Sequence, residues 1–113
     1  QQRQVRVGLA GPDLDACLSV AEVTGLNPRG DNFLAVRAAP AARGPILARL
    51  RAGHRVWVCD GTADDRWTGI VYDPDPRGDL DCDVGSPSPR IRPYSGHCRS
   101  GWVSARYITI IAG

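Results

Sequence analysis

The 113-residue chain contains no lysine and no methionine, and its formal net charge is only +2. All fourteen basic residues are arginines, and they are spread along the chain rather than gathered in one segment. A nucleic-acid-binding surface normally needs basic residues clustered on one face or stripe. The composition therefore argues against a nucleic acid as partner.

Long apolar runs are also lacking. None approaches the roughly 20 residues that a membrane-spanning helix needs, so no membrane span is predicted. The chain opens on Gln1-Gln2 rather than on methionine. This start fits a chain whose signal peptide has been removed, or a piece excised from a longer protein, and the sequence leaves both possibilities open.

Four cysteines are present, at positions Cys17, Cys59, Cys82 and Cys98, in a chain with 13 glycines and 9 prolines. Zinc sites usually contain C-x₂₋₄-C pairs, which these spacings do not provide, so no metal site is predicted. Four cysteines in a small chain instead indicate two disulfides and an oxidising compartment. The sequence therefore predicts a periplasmic or secreted protein.

Short segments of alternating apolar residues, separated by glycine and proline turns, predict an all-β fold. Strands are expected at 17–23, 33–37, 46–50, 54–59, 66–72, 101–104 and 107–111, with a 3₁₀ turn at Ala105-Arg106. Five to six of these short strands can close a small barrel, which removes exposed edges. The expected core residues are Leu34, Val36, Ile46, Leu50, Val56, Val58, Val71, Val103 and Ile108.

The N-terminal residues 1–15 lack a clear period, so we expect a mobile or loosely docked arm ahead of a barrel at 16–113. The strand at 54–59 places Trp57 and Cys59 on the face away from the expected core, because side chains alternate along a strand. A tryptophan and a cysteine on that face are expected to be shielded from water by another segment of the chain. The N-terminal extension, which carries Cys17, is the candidate, and a Cys17–Cys59 bridge follows.

Residues 73–100 lack periodicity and are too long for an ordinary hairpin loop. Cys82 and Cys98 lie inside this segment, and bridging them would close a loop worth about 3 kcal/mol by loop-closure entropy. The sequence therefore predicts a long, disulfide-closed insertion.

The start of the insertion is acidic enough to test against a calcium-binding loop. Asp73, Asp75 and Gly78 match the EF-hand pattern, but Arg77 and Val84 occupy two of its ligand positions and no helices flank it. A solvated acidic turn is favoured over a calcium site, and no cofactor is expected.

The strands also form an ordered series of short motifs. These are Leu34-Ala35-Val36-Arg37-Ala38-Ala39-Pro40, Ile46…Leu50-x-x-Gly53-x-x-Val56-x-Val58, Trp67…Val71 and Gly101-Trp102-Val103…Tyr107-Ile108. The series resembles the bacterial SH3 domain family (SH3b, SH3 type 3) over about residues 20–111, interrupted by the insertion. The resemblance implies an SH3-like barrel that binds a cell-wall peptide or glycan, as in domains that target hydrolases to peptidoglycan.

Tyrosine and tryptophan offer flat apolar faces with a polar edge, which suit sugars and protein hot spots. Ordinary packing is the alternative, above all for Trp67 and Trp102. We predict an exposed binding groove lined by Arg37, Tyr72, Tyr94, Arg99 and Trp102.

Catalysis is not expected. His97 precedes Cys98, but adjacent side chains on an extended chain point apart, and an oxidised cysteine is no nucleophile. The sequence predicts a monomeric, non-catalytic binding module for peptidoglycan. The alternative is a stand-alone protein-binding factor, an inhibitor or immunity-type protein that acts on an envelope enzyme through the 73–100 insertion.

Overall fold

A computed structural model describes residues 3–27, 29–30, 32–78 and 80–113. The fold is all-β, as predicted, and contains one 3₁₀ turn at Ala105–Tyr107. None of the helical segments within these ranges has the length and apolar character needed to cross a membrane. The strands are β1 (Arg6–Val7), β2 (Ser19–Val23), β3 (Leu34–Arg37), β4 (Ile46–Leu50), β5 (Arg55–Gly61), β6 (Trp67–Tyr72), β7 (Arg92–Pro93), β8 (Arg99–Ser104) and β9 (Ile108–Ala112).

Seven strands form one antiparallel sheet in the order β4-β3-β8-β6-β5-β2-β9, and β1 pairs with β7 in a second, two-stranded sheet. The large sheet is open, because its end strands β4 and β9 do not pair with each other. The predicted closed barrel is therefore wrong. The end strands are poorly packed: Ile46 and Leu47 in β4 are exposed, as are the last four residues of β9.

One face of the sheet encloses an inner core of nine residues: Ala21, Val23, Leu34, Val36, Leu50, Val56, Ile70, Tyr72 and Val103. Most of the predicted core lies here, as the period-2 pattern requires. Four predicted members differ. Ile46 is exposed because it lies on the edge strand β4, and Val71 points to the opposite face. Val58 and Ile108 are only half-buried and pack against this core from its margin.

The opposite face carries an outer core of nine residues: Val5, Val7, Ala16, Cys17, Cys59, Val71, Cys82, Val84 and Trp102. Val5 and Val7 come from the N-terminal segment, while Cys82 and Val84 come from the insertion. The expectation of a mobile or loosely docked arm is therefore wrong for residues 3–7. The apolar side chains of this segment are buried against the sheet, which holds it in place.

Both predicted disulfides are present. Cys17 bonds to Cys59 across 42 residues, and Cys82 bonds to Cys98 across 16 residues. By loop-closure entropy these links stabilise the fold by about 4 and about 3 kcal/mol. The first ties the N-terminal segment to β5, and the second closes the insertion over the outer core.

An ion pair between the partly exposed Arg6 and the buried Asp60 fixes the N-terminal strand to β5. The carboxylate of Asp60 is 1% exposed and accepts four hydrogen bonds, from the Arg6 backbone N–H (3.1 Å), Nε (3.2 Å) and Nη2 (3.3 Å) and from the Gly61 N–H (2.8 Å). Gly69 lies opposite Asp60, where a Cβ atom would come within 2.8 Å of the Asp60 side chain and 3.1 Å of Val5. The N-terminal strand can approach β5 because this position has no side chain.

We expect Asp60→Asn to destabilise the protein by about 1 to 3 kcal/mol, because it replaces a buried carboxylate oxygen that accepts hydrogen bonds with an amide NH₂ that cannot accept them. Urea unfolding followed by tryptophan fluorescence measures the change. Asp13→Asn, at an exposed turn position, is the matched control and should leave the unfolding midpoint unchanged. Equal midpoints for the two variants would contradict the anchoring role.

Candidate functional site

A groove of about 420 Å³ opens at one end of the large sheet, within the size range of ligand-binding pockets. The loop after β2, strand β3, the β3–β4 turn and the 3₁₀ turn form its walls. We call it the aromatic groove. Its lining residues include Leu26, Asn27, Phe33, Arg37, Ile46, Trp67, Ser104 and Tyr107.

The 3₁₀ turn holds the ring of Tyr107 at the groove. The backbone N–H of Ala105 donates to the carbonyl of Arg66 (2.9 Å), and the N–H of Thr24 donates to the carbonyl of Tyr107 (2.9 Å). Gly25 lies under the ring, since a Cβ atom there would be 3.8 Å from Cδ1 of Tyr107. Hydrogen bonds from two neighbouring elements therefore set the position of this tyrosine.

Trp67 is positioned by strand pairing. It is the first residue of β6 and lies directly opposite Ser104 in β8. Its backbone N–H donates to Thr62 Oγ1 (3.2 Å), and its carbonyl accepts from the Thr62 N–H (3.1 Å). Trp67 is half-buried, so part of its ring packs on the outer core while it also lines the groove.

Phe33 is held from β4. The guanidinium of Arg49 lies 5.2 Å from the centre of the Phe33 ring, a cation–π distance. Arg51 Nη1 donates to the carbonyl of Asn32 (3.2 Å). Two arginines thus contact Phe33 and its neighbour Asn32 and add positive charge near this part of the groove.

Arg37 is the only charged side chain among the described residues that line the groove. It is half-buried at the end of β3, and its Nη1 donates to the carbonyl of Gly44 (2.8 Å). The β3–β4 turn leaves no room at Gly44, where a Cβ atom would lie 3.0 Å from the carbonyl oxygen of Ala39. The tight turn therefore presents its carbonyl to the guanidinium.

The structure does not form the groove predicted from the sequence. Trp102 is fully buried in the outer core, where its Nε1 donates to the Arg3 carbonyl (2.8 Å) and the Arg3 guanidinium lies 4.8 Å from the ring centre. Tyr72 is buried in the inner core, with the ring of His54 edge-on at 6.0 Å. The two aromatics lie on opposite faces of the sheet and cannot share a surface.

Tyr94 and Arg99 also lie away from the aromatic groove. The Tyr94 hydroxyl donates to the Cys82 carbonyl (3.0 Å) and accepts from the Cys98 N–H (3.1 Å), so it braces the second disulfide. Arg99 is exposed opposite Tyr72, at the end of β8 remote from Ser104. Of the five predicted binding residues, only Arg37 lines the groove.

The sequence contained only a weak signal for the other groove residues. Trp67 and Tyr107 belong to the motifs of the SH3b resemblance, but their rings can serve the core as well as a ligand. Phe33 stands directly before β3 and gives no signal by itself. Only the pairing of β6 with β8 and the position of the 3₁₀ turn bring these rings together.

In the acidic turn at the start of the insertion, the aspartate carboxylates accept hydrogen bonds from backbone N–H groups of the same turn. Asp73 Oδ1 accepts from the Asp75 N–H, and Asp75 Oδ1 accepts from the Arg77 N–H, both at 2.9 Å. Within the described ranges, no group of three or more His, Cys, Asp or Glu side chains is placed to hold a metal ion. Asp79 lies outside these ranges.

Comparison of the chain with protein-family models, with curated proteins and with solved structures finds no match in any of the three.

Burial raises the pKa of the Tyr72 phenol above its ordinary value of 10.0, against a smaller lowering by Arg99. Burial also raises the pKa of Tyr94, against a smaller lowering by its hydrogen bond from Cys98. Above pH 10 the unfolded chain therefore loses these protons before the folded protein does. Both tyrosines contribute stability that is complete below their unfolded pKa and is lost as the pH rises through the folded values.

We expect the free energy of unfolding to fall as the pH increases above about 10. Tyr72→Phe should reduce the steepness of this fall, because the buried residue no longer ionises. Urea unfolding at a series of pH values from about 8 to about 11 measures the slope. An unchanged slope in Tyr72→Phe would show that Tyr72 does not contribute to it.

Proposed function

We propose that the protein is a monomeric, non-catalytic, SH3b-like module that binds a cell-wall peptide or glycan of peptidoglycan in the aromatic groove. One observation carries the proposal: Phe33, Trp67 and Tyr107 line a single groove of ligand size. Aromatic faces stack on sugar rings and on apolar peptide side chains, while the polar edges of Tyr and Trp accept or donate hydrogen bonds.

The motifs that resemble SH3b domains fall on strands β3, β4, β5, β6 and β8, and the last motif spans the 3₁₀ turn and the start of β9. The insertion interrupts the family pattern but does not occupy the groove. Among the described lining residues, none comes from residues 3–25 or 73–100.

Two disulfides fit an oxidising compartment outside the cytoplasm, which supports a periplasmic or secreted location. The second disulfide also supports a non-catalytic role. Cys98 follows His97 but is bonded to Cys82, so this pair has no thiolate to act as a nucleophile.

The alternative is an inhibitor or immunity-type factor that acts on an envelope enzyme through the insertion. One feature favours it: Ile91, in the insertion, is 55% exposed. The inner side of the same segment is committed to the fold, because Cys82 and Val84 are buried in the outer core. Single exposed apolar residues are common on protein surfaces, so the groove is the stronger candidate.

We expect the purified protein to co-sediment with peptidoglycan and Tyr107→Ala to weaken this binding by about tenfold, as for a central aromatic contact. Phe33→Ala should weaken it as well. The measurement is the bound fraction in a pelleting assay over a range of peptidoglycan concentrations.

Ile91→Ala is the control, because it truncates a hydrophobic side chain that is exposed on the insertion, away from the groove. It should bind like the unaltered protein. Loss of pelleting in Ile91→Ala alone would move the binding surface to the insertion. Absence of pelleting by the unaltered protein, together with capture of an envelope enzyme, would support the alternative function.

A further inference from the structure

We infer that the aromatic groove selects ligands that carry a carboxylate, and that Arg37 is the residue that binds it. The inference rests on the proposed function and specifies its ligand. The relevant ligand class is a peptide or glycan fragment in which a free carboxylate lies beside an apolar group or a sugar ring.

The charge of the groove points to an anion. Arg37 is the only charged side chain among the described lining residues, and the remainder are apolar, aromatic or neutral polar. Arg49 and Arg51 contact Phe33 and Asn32, which adds positive charge near the groove. A cationic ligand would meet unfavourable charge here, and a neutral ligand would leave the guanidinium without a charged partner.

The guanidinium of Arg37 is held in a defined position. Its Nη1 contact with the Gly44 carbonyl uses one of five N–H donors and restricts the rotation of a long side chain. Its remaining donors match the two oxygens of a carboxylate, which arginine binds in a bidentate manner. The half-buried, largely apolar surroundings strengthen such a pair relative to one in water.

Peptidoglycan is a suitable ligand because its peptide stems carry carboxylates close to sugar rings. The aromatic residues and the arginine then have separate tasks. Trp67, Tyr107 and Phe33 supply area and stacking for any ligand of the right shape, and Arg37 discriminates between a carboxylate and its uncharged amide. An amide offers one acceptor oxygen and no negative charge, so it forms a weaker contact.

The test compares purified peptidoglycan in two forms, untreated and with its carboxylates converted to primary amides by carbodiimide coupling with ammonia. We expect amidation to weaken binding of the unaltered protein by about tenfold or more, as for a hydrogen bond to a charged group. Arg37→Gln should bind both forms with the same reduced affinity.

Arg55→Gln removes the same charge from an exposed position on β5 that does not line the groove. It should keep the preference for untreated peptidoglycan, which separates the local contact from the net charge of the protein. Arg37→Lys keeps the charge but cannot bind in a bidentate manner. Arg37→Lys should retain a smaller preference for untreated peptidoglycan. A retained preference would show that a change at position 37 does not simply unfold the protein.

Equal binding of both forms by the unaltered protein would overturn the inference and leave the proposed function in place. A preference that persists unchanged in Arg37→Gln would also overturn it. If the unaltered protein binds neither form, the proposed function itself fails.

Discussion

The large sheet is apolar on both faces, and the rest of the fold follows from this constraint. In β8, Trp102 faces the outer core while its neighbour Val103 faces the inner core; in β6, Val71 and Ile70 divide in the same way. On the inner face, side chains from β2, β3, β4, β5, β6 and β8 pack against one another. The outer face must be covered by other parts of the chain, because an exposed surface of this kind would be an aggregation hazard.

The N-terminal segment and the insertion supply this cover together. Arg3 of the N-terminal segment lies over Trp102, and the Arg6–Asp60 pair anchors the same segment. The insertion places Val84 on the same face. Among their described residues, these two segments form only the two-residue strands β1 and β7 ahead of β2 and β8, which are too short to be stable alone. The two disulfides stabilise these segments instead. Each reduces the conformational entropy of the unfolded chain, one for the N-terminal segment and one for the insertion.

The sequence predicted the longer strands, most of their core-facing residues and both disulfides, because these depend on a period of two and on a short list of cysteines; Val71 was assigned to the wrong face. It did not predict β1 and β7, since two-residue strands leave no periodic signal. It wrongly placed Trp102 and Tyr72 in a binding groove. The sequence pattern of an aromatic residue on a strand is the same whether its side chain is exposed to a ligand or buried under another segment of the chain. It also predicted a closed barrel, whereas closure depends on the pairing of two end strands that no local pattern specifies.

The aromatic groove lies at the end of the sheet that the N-terminal segment and the insertion leave uncovered. Phe33, Trp67 and Tyr107 lie where β6, β8 and the loop after β2 meet, and no described residue of the N-terminal segment or of the insertion lines that space. Trp67 marks the boundary, since it packs on the outer core and also lines the groove. The lining is also shared with the inner core, since Leu34 is buried in that core and Leu26 and Tyr107 pack against it. Arg37 belongs to neither core, so a change at Arg37 should disturb the packing of the sheet less than a change at the aromatic residues.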